Sequence, residues 1–286
     1  MHLQHEDYTF TLLTPCFSGT ALGKADDHAE MRIPPIRGHI RFWHRVLFGP
    51  GDCNRVWGST AGDQGNGSRI SVRFIGSVSI KHASPKPTML PHKDEPNQRG
   101  PRPALAAGES FTLRLQRLVG CTAADWDHAQ RVVKLWLLLG GLGLRSNRGA
   151  GSVWPKDDWV PQCAGALRTT LQHLGLQKWA VAVVGVGKCK SADELRKTAS
   201  DTSKGDNRSI NQKVFGASAP RRPSPTKFKV ICLKDGFCLL ACAPHQEIRC
   251  EDGQRRTILR EAERLLWNKP RAERWQALGN WNYILP

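Results

Sequence analysis

The chain has 286 residues and a mass of 31.8 kDa, and 40% of its residues are hydrophobic. That is enough for one large domain or two small ones, and too much for a disordered chain. Lys and Arg number 42 against 25 Asp and Glu, a formal charge of +17 with a pI near 9.9. An excess of this size points to a polyanionic partner, most simply nucleic acid, whose phosphates release counterions on contact. No apolar run reaches the ~18–20 residues of a membrane helix, and Met1–Asp7 lacks the basic and apolar regions of a signal peptide. A cytoplasmic chain with nine reduced cysteines is expected, because the odd count fits a closed disulfide framework poorly.

In chain order, Tyr8–Thr14 is rich in β-formers and Pro15 stops it. A polar loop runs from Ser18 to about Met31, and Pro34-Pro35 opens a helix. Ile36, Ile40, Trp43 and Leu47 set its apolar face, and Gly49-Pro50-Gly51 ends it. Arg69–Ile75 and Ser110–Leu115 alternate as half-buried strands do. Between them, residues 83–108 hold six prolines and read as a long irregular insertion. Thr122-Ala123-Ala124-Asp125 has capping-box spacing before a helix carrying Trp126, Ala129, Val133, Trp136 and Leu137. Ser152-Val153-Trp154 then reads as a short returning strand. The order strand, helix, strand, strand, helix, strand is the split βαβ, or ferredoxin-like, pattern, an α+β class.

The second half echoes this scheme. Trp179–Val186 reads as a strand and Thr257–Trp267 as an amphipathic helix, while the polar segment 198–225 reads as a loop. Val214-Phe215-Gly216-Ala217-Ser218, followed by Lys227–Val230, repeats Val56-Trp57-Gly58-Ser59, followed by Arg69–Val72. Two tandem ferredoxin-like (RRM-like) domains are expected, over 1–155 and 156–286. Neither is a basic tail: the first carries 19 basic and 12 acidic residues and the second 23 and 13.

Two constellations carry candidate chemistry. Arg37, Arg41 and Arg45 stand at i, i+4 and i+8 on one helix face, with His44 beside them and no acidic residue in Ile36–Phe48. Guanidiniums about 6 Å apart suit successive phosphates, although a solvated face has the same spacing. The second is Gly140-Gly141-Leu142-Gly143-Leu144-Arg145-Ser146-Asn147-Arg148-Gly149-Ala150-Gly151-Ser152. Its glycines permit close approach of a ligand, and Arg145, Ser146, Asn147 and Arg148 add donors. A helix precedes it, so it is not a dinucleotide fingerprint, and it lacks the Gly-Lys-[Ser/Thr] of a P-loop. Trp57, before a Gly-Ser turn, suits either base stacking or packing.

Thr14-Pro15-Cys16-Phe17-Ser18-Gly19, Arg32–Arg45, Trp57-Gly58-Ser59 and Gly140–Val153, in this order, resemble the RAMP superfamily of CRISPR effector proteins. Within that superfamily the pattern is most similar to the first subunit of type III-B (Cmr) complexes. The chain departs from the usual pattern at Thr20, Pro35, His44 and Asn147. The resemblance implies tandem RAMP domains in a ribonucleoprotein, near the 3′ end of the CRISPR RNA and its paired target, with other subunits as partners. The RNA-binding set it implies is Lys24, Arg32, Arg37, Arg41, His44, Arg45, Ser59, Gly141, Gly143, Arg145, Ser146, Asn147, Arg148, Gly149 and Gly151.

Catalytic chemistry has one candidate. In related backbone subunits an Asp in the loop after the first strand cuts target RNA, and here that loop holds Asp26, Asp27 and His28. Asp26 or Asp27 would activate a 2′-hydroxyl with metal help, and His28 would carry a proton. The first Cmr subunit is generally a binder, so the chain is expected to bind RNA without cutting it. Cys238, Cys242, His245 and Cys250 offer ligand types for zinc, but no CxxC clamp occurs, and Cys238–Cys242 reads as a buried strand. No cofactor or metal is expected.

Overall fold

The computed structural model describes residues 4–19, 28–60, 65–76, 80–90, 101–201, 209–218, 221–268 and 272–286. A first sheet comprises β1 (His5–Leu12), β2 (Ile70–Ile75), β3 (Ser110–Arg117) and β4 (Val153–Pro155), in the order β2-β3-β1-β4. Every neighbouring pair is antiparallel. Helix α1 (Ile33–Trp57) joins β1 to β2, and α2 (Ala123–Leu139) joins β3 to β4. This is the ferredoxin-like order that the sequence predicts. Alternation sets its faces: Tyr8, Phe10, Leu12, Phe111, Leu113 and Leu115 are buried against the helices. Asp7, Thr9 and Thr11 stand opposite Arg114, Thr112 and Ser110, linked side chain to side chain. No Phe, Tyr or Trp stands on that outer face of β1 or β3, so it offers no stacking platform of the RRM kind.

Beyond β4, helix α3 (Ala164–His173) leads into β5 (Trp179–Cys189). Helices α4 (Ala192–Ser200) and α5 (Ser209–Phe215) follow, then the two-residue strands β6 (Ala217–Ser218) and β7 (Arg221–Arg222). Strands β8 (Lys227–Leu233) and β9 (Gly236–Pro244) precede a hairpin, β10 (Glu247–Arg249) with β11 (Arg255–Thr257). Helices α6 (Ile258–Trp267) and α7 (Glu273–Leu278) and strand β12 (Asn282–Leu285) complete the fold. The second sheet runs β12-β5-β9-β8. With β5, β8, β9 and β12 standing for β1 to β4, the two orders are the same.

The second sheet is buried on both faces. Val181, Val183, Ile231, Cys238, Leu240 and Cys242 join the core built around α1 and α2. Ala180, Ala182, Val184, Val230, Leu239 and Ala241 join a second core under α4 to α7. One apolar body therefore runs through both halves. No described helix is long and apolar enough to cross a membrane.

Local signals explain most boundaries. The capping box before α2 is complete: Thr122 Oγ1 accepts from Asp125 N, and Asp125 Oδ2 accepts from Thr122 N. Thr257 Oγ1 caps α6. Two expectations need correction. Gly49, at φ 85°, breaks the first helix as expected, but Pro50 restarts it and the helical path continues to Trp57. The segment 198–225 is not a structureless loop: α5, β6 and β7 lie within it, and Ile210, Val214 and Phe215 anchor α5 by burial. The Pro-rich insertion has no long element among its described residues, yet Met89, Leu90 and Ala104 form a small core with Phe17 and Ala150.

The short sequence echo corresponds to one repeated structure. Gly58 (φ 81°) ends α1 and Gly216 (φ 77°) ends α5. A Cβ on Gly58 would lie 2.9 Å from Asn66 O and Ser68 N; on Gly216 it would lie 2.6 Å from Arg222 O and 2.8 Å from Ser224 N. In both places a helix ends, glycine turns left-handed, and a short hairpin crosses tightly over it before the next sheet strand.

Candidate nucleic-acid interface

Two of the resemblance motifs, Thr14–Gly19 and Gly140–Val153, meet in one clasp. Helix α2 delivers the chain at Gly140 into a turn that doubles back on the segment after β1. Leu142 N donates to Gly151 O (2.8 Å), Leu144 N to Phe17 O (2.9 Å) and Gly151 N to Pro15 O (2.9 Å). Thr14 Oγ1 donates to Gly149 O (2.7 Å) and accepts from Ser152 N (3.0 Å). The far side of the same turn grips the second sheet. Gly149 N donates to Phe228 O (3.0 Å), Phe228 N to Asn147 O (3.1 Å), and Val230 N to Ser152 Oγ (2.9 Å).

This geometry corrects part of the sequence-derived binding set. Gly141, Arg148, Gly149 and Gly151 are buried. Gly143 and Gly149 do have positive φ, 74° and 77°, but protein fills the space beside them. A Cβ would meet Phe17 O at 2.7 Å and Ala199 Cβ at 3.4 Å. A Cβ on Gly151 would lie 2.0 Å from Leu142 O. Close packing by the protein itself requires glycine at 143 and 151, while at Gly149, where the contact is an ordinary one, the positive φ favours it. Arg148 is 6% exposed; its Nη2 donates to Phe215 O (2.7 Å), and its guanidinium lies over the rings of Phe215 and Phe228 at 5.6 and 5.9 Å. Burial, then the charge of Arg145, pulls Arg148 down to a pKa of about 9. It joins the two halves.

The arginine stripe divides in the same way. Arg37 Nη2 donates to Trp57 O (3.0 Å), while Arg41 donates to Gly58 O (2.6 Å) and Asn54 Oδ1 (3.0 Å). Two cations thus hold the last carbonyls of α1's second segment, as favoured at a helix C-terminus. The expectation that all three arginines face solvent overlooked this second segment. Arg45 is exposed, and Arg32 is half-buried with Nε 3.8 Å from Glu30. Ser59 is half-buried, its backbone paired both ways with Asn66. Lys24, Asp26 and Asp27 lie outside the described residues. His28 is exposed, its ring 5.8 Å from that of His82.

His44 is also internal. It is fully buried, accepts at Nδ1 from Trp57 Nε1 (2.8 Å) and meets Asp52 Oδ1 through Nε2 (2.7 Å). Trp57, itself 1% exposed, is therefore not available to a base. Indole only donates, so the neutral imidazole carries its proton on Nε2 and donates it to Asp52. Burial, outweighing Asp52, lowers the His44 pKa. His128 Nδ1 reaches the same Asp52 oxygen (3.0 Å), and Arg55 pairs with Asp52 and Asp125. Burial opposes the Asp52 charge, but His128, His44 and Arg55 prevail and hold its pKa at about 2. His44, Asp52 and His128 form the one group with metal-ligand spacing among the described residues. With both His44 nitrogens engaged, that group is a hydrogen-bond network tying α1 to α2. The sequence reading missed it, although Asp125 in the capping box was its visible end.

Cys238 and Cys242 are buried in β9, and burial pushes both thiols up to about 12, so they pack as neutral groups. His245 is exposed at the turn after β9, away from any described metal-ligand group.

What remains at the surface is the tip of the clasp. Leu144 is 53% exposed, and Gly143, Arg145, Ser146 and Asn147 are half-buried. Arg145 adopts φ 63°, a left-handed conformation rare for a residue with a side chain. Asn147 Oδ1 accepts from Lys227 Nζ (3.0 Å), which also lies 4.7 Å from the Phe42 ring. Burial and then Lys227 bring His39 down to a pKa of about 4. Lys227 and His39 were not singled out in the sequence, because they come from distant elements; a lysine opening the repeated strand was the available sign.

The family model of the RAMP superfamily matches residues 9–154. Among solved structures, the chain is similar to Cmr1 from Pyrococcus furiosus in its apo form, with 17% identity, a TM-score of 0.65, and 99% of each chain covered. A chain of the type III-B Cmr-beta complex bound to cognate target RNA is similar at 11% identity and a TM-score of 0.50, over 85% of this chain and 94% of that one. A chain of Cmr-beta bound to cognate target RNA and AMPPnP, in the presence of ssDNA, is similar at 10% identity and 0.54, over 97% and 98%. No curated protein matches in sequence. The structural likenesses, at these identities, establish a shared fold; the family match spans half the sequence and reaches from within β1 to within β4 of the first sheet, and the chain belongs to the RAMP superfamily.

Proposed function

We propose that this chain is a non-catalytic RNA-binding subunit of a type III CRISPR effector complex, with CRISPR RNA, its paired target and other subunits of that complex as partners. Its place is near the guide's 3′ end. The reading rests above all on the RAMP fold of a chain with charge +17, similar from end to end to a Cmr subunit. Residues 1–155 and 156–286 act as two RAMP units joined by the clasp. RNA meets the half-buried Arg145, Ser146 and Asn147 at the tip, the half-buried Arg32 and the exposed Arg45. Arg37, Arg41 and Arg148 position that surface from behind. Sequence is read by guide–target pairing, while the protein holds backbone and shape.

The rival reading is cleavage by Asp26, Asp27 or His28. Labelled target RNA offered to the assembled complex separates the two. The proposal expects cutting and binding to be unchanged by Asp26→Asn with Asp27→Asn, and binding to weaken with Arg45→Ala plus Arg145→Ala. Loss of cutting with binding retained in the aspartate variant would overturn it.

A further inference from the structure

A cleft of about 880 Å³ lies between the Pro-rich insertion and helices α4 and α7, with Pro15 of the clasp in its wall. Five permanent cations line it: Lys81 from just before the insertion, Lys86 within it, Arg196 and Lys197 from α4, and Arg274 from α7. His82 joins them on the insertion side. Among the described residues the one carboxylate in the lining, Asp193, is already engaged, by Arg196 Nε at 2.6 Å and Lys197 Nζ at 3.1 Å.

Arg196 is the fixed point. Its side chain is 2% exposed, and Nη1 donates to Thr88 O (3.1 Å), so one guanidinium ties the second half to the insertion of the first. The other cations are more exposed: Lys81 and Lys86 are exposed, and the Lys197 and Arg274 side chains are 48% and 55% exposed. Arg274 lies 3.8 Å from Asp201, outside the cleft. A buried, oriented guanidinium among more exposed cations suits a polyanion.

The uncharged lining indicates which part of the ligand is read. Proline and alanine dominate it, and it contains no Phe, Tyr or Trp. Bases would find no ring to stack on, whereas phosphates would find cations on both walls.

We infer that this cleft is a second RNA site, binding the phosphate backbone of a single-stranded segment without base preference. The inference rests on the RNA-binding reading above and extends it to a surface that the family motifs touch only at Pro15. Because both halves form the walls, a bound strand bridges them at a second point besides the clasp.

The test uses the full chain and fluorescent oligouridine or oligoadenosine, with affinity measured across a salt series. Charge reversal at the exposed positions, Lys81→Glu with Lys86→Glu, spares the buried Arg196; Arg274→Glu probes the opposite wall. Each lost contact is expected to make the log–log salt slope shallower by about 0.7. Both oligonucleotides should weaken alike, by at least tenfold for the double variant, with the circular dichroism spectrum unchanged. Wild-type affinity and slope in all these variants would overturn the inference. So would normal RNA binding accompanied by loss of a neighbouring subunit, which would assign the cleft to an acidic protein segment. Failure of the wild-type chain itself to bind either oligonucleotide would instead overturn the RNA-binding reading.

Discussion

The turn at Trp57-Gly58 and the turn at Phe215-Gly216 are built alike and held differently. In both, a helix ends in a buried aromatic residue, a glycine turns left-handed, and a short hairpin closes above it. The first turn is fastened from within its own helix, by Arg37 on Trp57 O and Arg41 on Gly58 O. The second is fastened from the other half of the molecule, by Arg148 on Phe215 O. One chemical device, a guanidinium on a helix-terminal carbonyl, is local in the first repeat and becomes a strut between repeats in the second. Lys229 does similar work nearby: fully buried in β8, it donates to Leu137 O near the end of α2. The family's glycine- and arginine-rich loop is therefore first a joint, and only its tip remains for a ligand.

The largest effect should come from breaking the strut. Arg148→Ala leaves the buried Phe215 carbonyl without its donor, two rings without their cation, and a cavity. We expect a loss of about 3 kcal/mol. Arg37→Ala, at a half-buried site, should cost about 1 kcal/mol. Urea unfolding gives both values, and equal losses would mean that the two fastenings are equivalent. Next come the glycines. Gly58→Ala and Gly216→Ala each force a side chain into positive φ against backbone at under 3 Å, and each should cost about 2–3 kcal/mol. Tolerance of one but not the other would show that the repeat does not extend to packing.

A smaller effect is set by pH. His39 and His44 both have pKa values below their ordinary range in the folded chain, His39 at about 4. As pH falls through 6.5 the unfolded chain takes up protons that the folded chain does not, so stability declines. For His39 the loss reaches about 2 kcal/mol at pH 5. Melting temperatures at pH 7 and pH 5 should show this decline, and His39→Gln should reduce it. An unchanged decline in that variant would remove His39 from the account.

The first βαββαβ order follows from features visible in the sequence, whereas in the second half α4, α5 and β12 were not read. Alternation in Tyr8–Leu12 and Ser110–Leu115, the Thr122–Asp125 box and the Thr257 cap are local signals, and the structure uses them locally. The 56–59 and 214–218 echo was legible for the same reason. Burial of the candidate binding residues was not, because it depends on what arrives from elsewhere. The spacing of Arg37 and Arg41 describes one helix face, but it cannot show that the chain restarts at Pro50 and presents carbonyls to that face. Arg148 follows Arg145 by three residues in one motif, yet Phe215 and Phe228, far along the chain, decide that one is interior and the other lies at the surface. The basic cleft was invisible for the same reason, its cations being drawn from residues 81 to 274.

The most direct test compares those two arginines within one loop. Arg145→Ala and Arg148→Ala should be measured side by side for urea stability and for RNA bound per folded molecule. We predict that Arg145→Ala weakens RNA binding about tenfold, as for one charge-assisted phosphate contact, with stability changed by less than about 1 kcal/mol. Arg148→Ala should lose about 3 kcal/mol of stability, while the molecules that stay folded bind RNA normally. The reverse pattern, with Arg148 governing RNA affinity and Arg145 governing stability, would contradict the assignment of the clasp as a joint with an RNA-facing tip.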